Sequence, residues 1–187
     1  MLFRSELRIF GMENKETELS FDGYAHFISG TIDPMTIEQA SRWLMYAKFN
    51  KFEKPLTLYV NSEGGDLGDA IGLVDMMRGI KSVRTLAYGN LMSSAFMIFA
   101  AGEKGYRAIG KNTAIMIHQF SDSLEGKYHD MKAYAKECDR YNDKMAQLLS
   151  DCSNLTPKDV KHKLLKPTDI WLTAEDLVGY GIADIIF

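Results

Sequence analysis

The sequence predicts an α/β protein built from repeated β-α-β units with one protruding long helix, and three features carry that prediction. Short apolar runs of strand length alternate along the chain with amphipathic stretches of helical period, the pattern of a mostly parallel sheet joined by right-handed crossovers. The stretch Thr113-Ala114-Ile115-Met116-Ile117 is almost continuously apolar, as strands buried on both faces are. Between Lys127 and Ser150, Met131, Tyr134, Ala135, Cys138, Tyr141, Met145, Leu148 and Leu149 recur at helical spacing with no glycine or proline, a helix long for one compact domain.

Two segments divide the chain. Residues 1–22 read as a hairpin-like piece, Leu7–Phe10 and Glu18–Phe21 alternating like strands about a charged tip at Gly11–Thr17, with little to offer a core. Residues 23–187 hold the main domain. Its first core strand runs from Tyr24 to Ile28, and Ser29–Ile32 turns toward a helix opened by Asp33 at the N-cap and Pro34 at the first helical position. Ile37, Ala40, Trp43, Leu44 and Ala47 share one face of that helix.

After Lys54-Pro55, Leu56–Val60 is a strand, Asn61–Asp66 a glycine turn, and Ala70, Ile71, Val74 and Met77 mark a second helix. The pattern repeats with the strand Val83–Tyr88 and a helix after Ser93. Thr156-Pro157 opens a short helix, and Ile170–Leu172 is a strand. Thr173 with Asp176 forms a capping box for Ala174–Tyr180, Gly181 ends that helix, and Ile182–Phe187 is a last strand.

Composition narrows the function classes. The 187 residues are 46% hydrophobic and 25% charged with net charge −3, an ordinary globular make-up whose scattered Lys and Arg leave no basic footprint for nucleic acid. Cys138 and Cys152 belong to no zinc-type spacing, so the expectation is reduced thiols, no disulfide and no catalytic metal. The N-terminus meets charge before a signal-peptide core can form, and the apolar run Leu91–Ala101 is too short to span a bilayer. A soluble, cytoplasmic protein without a membrane partner is expected.

The stretch Thr85–Ala101 organises the chemistry: an apolar strand runs into Gly89, and two adjacent serines sit where a helix begins. One reading of Ser93 and Ser94 is N-capping, because a serine oxygen accepts a free N–H of the first turn. The other is a nucleophile at a helix start, where backbone N–H groups can also hold an oxyanion. Among four histidines only His118 stands at the end of an apolar strand, where function collects in α/β sheets. A histidine there suits the removal of a serine proton near neutral pH, with a carboxylate to fix its tautomer. Gly64-Gly65 follows a strand, but the pattern is no phosphate loop, and Glu63, Asp66 and Asp69 would repel phosphate. Gly-x-Ser-x-Gly is absent, against a lipase or esterase.

Taken in order, Asn61-Ser62-Glu63-Gly64-Gly65, Gly89-Asn90-Leu91-Met92-Ser93, Met116-Ile117-His118-Gln119 and Asp169 before Ile170-Trp171-Leu172-Thr173-Ala174 resemble the proteolytic subunit of the Clp protease. That family carries Asn-Ser-Pro-Gly-Gly, Gly-x-Ala-Ala-Ser, Met-Ile-His-Gln and an Asp before an aromatic-x-Ser/Thr-Ala segment. The resemblance runs from about Phe27 to Ile186 and implies a crotonase-type superhelix of β-α-β turns. It implies Ser93 as nucleophile, His118 as general base and Asp169 as the orienting carboxylate, with the N–H groups of Gly65 and Ser94 as oxyanion hole; Asp122 competes with Asp169.

The activity so implied is serine endopeptidase cleavage of unfolded proteins and short peptides through an acyl-enzyme. The implied assembly is a homo-oligomeric tetradecamer of two stacked rings enclosing a chamber, with the long helix joining the rings and residues 1–22 at the axial entrance. An AAA+ unfoldase feeds the chamber and uses the ATP, so the chain itself needs no cofactor; other Clp protease subunits are a further implied partner. Departures lie at the edge of the site: Glu63 replaces a proline, Leu91-Met92 two alanines, and Phe120 a proline. The rival readings are a non-catalytic ring subunit and a crotonase-type acyl-CoA enzyme; basic residues for a CoA phosphate are not evident near Gly64 or Gly89.

Overall fold

The computed structural model describes residues 23–80 and 82–187, so the expectations for residues 1–22 lie outside the described residues. Among the described residues seven strands form one sheet: β1 (Ala25–Ile32), β2 (Leu56–Gly65), β3 (Val83–Met92), β4 (Arg107–Ile109), β5 (Ala114–Ile117), β6 (Ile170–Leu172) and β7 (Ile185–Ile186). Six helices accompany them: α1 (Pro34–Phe49), α2 (Leu67–Arg78), α3 (Ser94–Ala100), α4 (Tyr128–Asp151), α5 (Pro157–Lys163) and α6 (Ala174–Gly179). The sheet order is β1-β2-β3-β4-β7, with β5 and β6 branching from the far half of β3. Every pairing is parallel except that of β5 with β6. The alternation of strand and helix thus folds as a mixed α/β architecture on a mainly parallel sheet.

Several expected turns are strand instead. β1 continues through Ser29–Ile32, because Gly30 is absorbed as a bulge where the β1–β2 register shifts. The presumed glycine turn Asn61–Gly65 is the second half of β2, with Gly64 and Gly65 paired to Thr31 and Ile32. β3 likewise runs past Tyr88 to Met92. Its first half pairs with β4 at Thr85–Ala87 and its second with β5 at Asn90–Met92, so one strand serves two neighbours. β5 alternates buried and half-buried residues rather than burying both faces, and the closing strand shrinks to two residues.

The helix signals translate directly. Asp33 caps α1 by accepting the Thr36 N–H at 2.8 Å, and Pro34 needs no N–H partner there. Ile37, Ala40, Leu44 and Ala47 are buried against the sheet, while Trp43 is half-buried with its indole N–H donated to the Gly23 carbonyl. Thr156 and Thr173 open α5 and α6 with complete capping boxes. α3 is buried along its whole length, packed on β2, β3 and α2. α4 buries only Met145, Ala146, Leu148 and Leu149 near its end, leaving most of its first half exposed. It is too polar overall to be a core helix; no helix of the described chain is long and apolar enough to cross a membrane.

β4 escaped the sequence pattern because it begins with a charge. Arg107 is 1% exposed and donates from Nε and Nη2 to both Asp184 carboxylate oxygens, at 2.8 and 2.7 Å, and to the carbonyls of Ala100, Cys152 and Gly181. A buried guanidinium persists only when its donors are met. Burial alone would raise the Asp184 carboxyl, but the Arg107 side chain and the N–H groups of Arg107 and Gly105 hold it below the usual carboxylate range.

Candidate active site

Ser93 joins β3 to α3 with φ 52 and ψ −125, a backbone conformation that side chains other than glycine seldom adopt. Such geometry costs on the order of 1–3 kcal/mol and must be imposed by its surroundings. They are visible: the Ser93 N–H is donated to the Met116 carbonyl on β5 at 2.9 Å, and the Ser93 carbonyl accepts from Phe96. Ser93 holds the N-cap position without a side-chain capping bond, which removes the capping explanation for its hydroxyl. Ser94 is the first residue of α3 and buried, and its hydroxyl has no hydrogen-bond partner among the described residues.

Gly64 and Gly65 bring β2 against this junction. A Cβ on Gly64 would meet Ser93 Cβ at 2.7 Å, the Met92 carbonyl at 2.8 Å and Ser94 N at 3.0 Å. A Cβ on Gly65, at φ 152, would strike the Ile32 carbonyl oxygen at 2.1 Å. Only glycine permits both approaches. Just before them in β2, Asn61 and Ser62, expected as turn residues, clasp three strands together. The Asn61 carboxamide accepts the Asn90 N–H at 2.9 Å, and the buried Ser62 hydroxyl accepts from Gly64 N and donates to the Gly30 carbonyl. The signal was present as a polar pair directly before Gly-Gly in an apolar strand.

A cleft of about 540 Å³ gathers Gly65, Ser93, Ser94 and His118, and Asp122 and Tyr134 also line it. His118 directly follows β5, and its Nδ1 lies 2.6 Å from the Gln119 carbonyl oxygen. A carbonyl can only accept, so that contact places the proton on Nδ1 and leaves Nε2 the basic nitrogen. Among the described residues neither Ser93 nor Asp169 is hydrogen-bonded to His118. Asp169 is exposed and outside the cleft lining. It nevertheless precedes β6, whose antiparallel register pairs Ile115 with Leu172, Met116 with Trp171 and Ile117 with Ile170. The pairing ends at Ile117 and Ile170; carried one step further, the same register would bring Asp169 opposite His118.

Asp122 lines the cleft but is committed elsewhere. Its carboxylate accepts the Tyr134 hydroxyl from α4 and the Ser123 N–H at 2.7 Å. The Tyr134 bond holds Asp122 below the ordinary carboxylate range, and the same bond pushes the Tyr134 phenol up to about 12. Phe120, in place of the family's proline, stacks on Tyr141 with ring centres 4.7 Å apart and donates its N–H to Asn142 at 2.7 Å. The segment after His118 is therefore fastened to α4 at two places.

Fold and cleft define a class: a mixed α/β protein on a mainly parallel sheet, presenting a strained serine and a histidine in one cleft. A family model for the Clp protease matches residues 19–187, nearly the whole chain. The chain belongs to the Clp protease family, a family of serine peptidases associated with ring assembly and unfoldase partners.

Proposed function

We propose that this chain is a serine endopeptidase subunit of the Clp type that hydrolyses peptide bonds of unfolded proteins and short peptides. The observation that supports it best is the backbone of Ser93, held at positive φ with no capping role, in a cleft shared with His118 and the glycine backbone of β2. In this reading Ser93 Oγ attacks the scissile carbonyl carbon while His118 Nε2 takes its proton. The carbonyl oxygen then becomes an oxyanion facing the N–H groups of Gly65 and Ser94, and His118 returns the proton to the leaving amine. Water hydrolyses the acyl-enzyme by the same route. Asp169, one register step beyond Ile170, serves once the imidazole turns from the Gln119 carbonyl toward it; hydrogen bonds of this kind tighten in the complex with substrate.

The larger proposal follows the family: β-α-β units of the crotonase type in residues 23–187, self-assembly into two stacked rings, α4 at the ring junction and residues 1–22 at the axial entrance. An ATP-using unfoldase delivers substrate, and the chain needs no cofactor. The exposed first half of α4 supports the junction role, since amphipathic residues such as Met131 there have no partner surface within the described chain.

A fluorophosphonate probe with mass spectrometry tests the chemistry. Ser93 is labelled in the parent, Ser93→Ala abolishes labelling and lowers peptide cleavage roughly 10⁴-fold, and Ser94→Ala still labels at Ser93. No labelling of the assembled protein would leave the non-catalytic ring subunit, and labelling confined to Ser94 would move the nucleophile.

A further inference from the structure

A second cleft, of about 530 Å³, opens where β2 and β3 begin, at the opposite end of the parallel strands from Ser93, and shares no lining residue with the first. Lys48, Lys51, Lys54 and Arg84 line it, against the carboxylates Glu53 and Glu103. None of these four cations forms an ion pair among the described residues. Glu103 is instead engaged by the Ser82 hydroxyl. Four positive groups in one concavity of a chain with net charge −3 are not a product of composition, and each raises the energy of the others.

The cations are also held in place. Arg84 lays its guanidinium over the Tyr106 ring, 4.1 Å from the centroid, with its Nε buried and without an acceptor among the described residues. The loop bearing Lys51 and Lys54 is pinned by Phe52, whose ring centre lies 4.6 Å from that of Tyr24 and 5.8 Å from that of Tyr46. Lys54 reaches over the Tyr24 ring, with its Nζ 5.3 Å from the centroid, and Lys48, in the last turn of α1, complements the helix dipole.

We propose that this cleft binds a multivalent oxyanion, a ligand carrying two or more phosphate or carboxylate groups. Arg84 offers a planar fork for two oxygens of one group, and Lys51 and Lys54 act as point charges for the next. A cleft of this volume is of the size that takes small ligands. The site is independent of the peptidase reading, because it uses no residue of the Ser93 cleft.

Calorimetric titration of the full chain at low salt with tripolyphosphate and, separately, with a hexaglutamate peptide tests it. The expectation is saturable binding of at least one probe, weakened tenfold or more by Arg84→Gln and by the surface double substitution Lys51→Gln with Lys54→Gln. Tripolyphosphate alone assigns the phosphate source, hexaglutamate alone the carboxylate source, and both the shared chemistry. Bound probe should raise the melting temperature of the parent and not of the lysine double variant, which is expected to fold because both positions are exposed. Absence of saturable binding of both probes, or variants that bind as the parent does, overturns the proposal.

Discussion

Asp169 and Asp122 are the two carboxylates that compete to orient His118, and their surroundings divide them. Asp122 accepts from Tyr134 and Ser123, whereas Asp169 has no such partners among the described residues and directly precedes the strand β6 that pairs with β5. Asp169→Asn should therefore cut peptide turnover by about 10⁴, while Asp122→Asn, which disturbs the contacts to Tyr134 and Ser123 but not the orienting of His118, keeps turnover within about tenfold. The reverse ranking in a steady-state assay would transfer the orienting role to Asp122. A different residue contributes to acid stability. His26 stacks on Trp43 with ring centres 5.3 Å apart, and burial lowers its imidazole from 6.5 to about 4. The folded state refuses a proton that the unfolded chain accepts, so stability is full above the ordinary value and falls as pH drops through this window. The loss is about 3 kcal/mol by pH 4. Urea unfolding between pH 7.5 and pH 4 should show that slope, flattened in His26→Gln; an equal slope in the variant would place the acid sensitivity elsewhere.

At the scale of elements, the second half of β2 sets the shape of the cleft. Its two glycines act on different neighbours, and substitution should separate them. Gly65→Ala drives a methyl into the Ile32 carbonyl and forces β1 from β2, a backbone clash expected to cost more than about 3 kcal/mol and to lower the urea midpoint sharply. Gly64→Ala collides with Ser93 Cβ and Ser94 N, so its main effect should be on probe labelling at Ser93, slowed at least about 100-fold. Labelling that survives Gly64→Ala would mean that the serine turn can shift without consequence. The helix caps were legible because a cap is local: Asp33 with Thr36, Thr156 with Asp159 and Thr173 with Asp176 sit three residues apart. The strands through glycine were not. Glycine at Gly30 and Gly64 reads as a turn, and only the partner strand decides that it is a bulge or a paired position.

For the whole molecule, the reading of a ring with a guarded entrance gives a test of access. The assembled chain alone should cleave short peptides and leave a stably folded protein intact, since a folded domain cannot thread a narrow pore without work. Deleting residues 1–17 should admit larger unfolded chains while peptide cleavage stays at the parental rate. Peptide and unfolded-protein assays run side by side on the truncated protein decide this. Unchanged exclusion of unfolded protein, with assembly and peptide activity intact, would make the segment an assembly contact.

By itself the sequence determined the alternation of strand and helix, the helix starts, and the positions of Ser93 at a helix start and His118 at a strand end. These depend on apolar period, capping chemistry and a short motif, all encoded within a few neighbouring positions. Only the tertiary structure decided which strands pair, that β3 divides its length between β4 and β5, and that Asn61 and Ser62 clasp the strands under the cleft. It also decided that Arg107 could be buried. A charged residue reads as surface until a partner 77 residues away, Asp184, supplies both oxygens, and no local pattern announces a pairing of that separation.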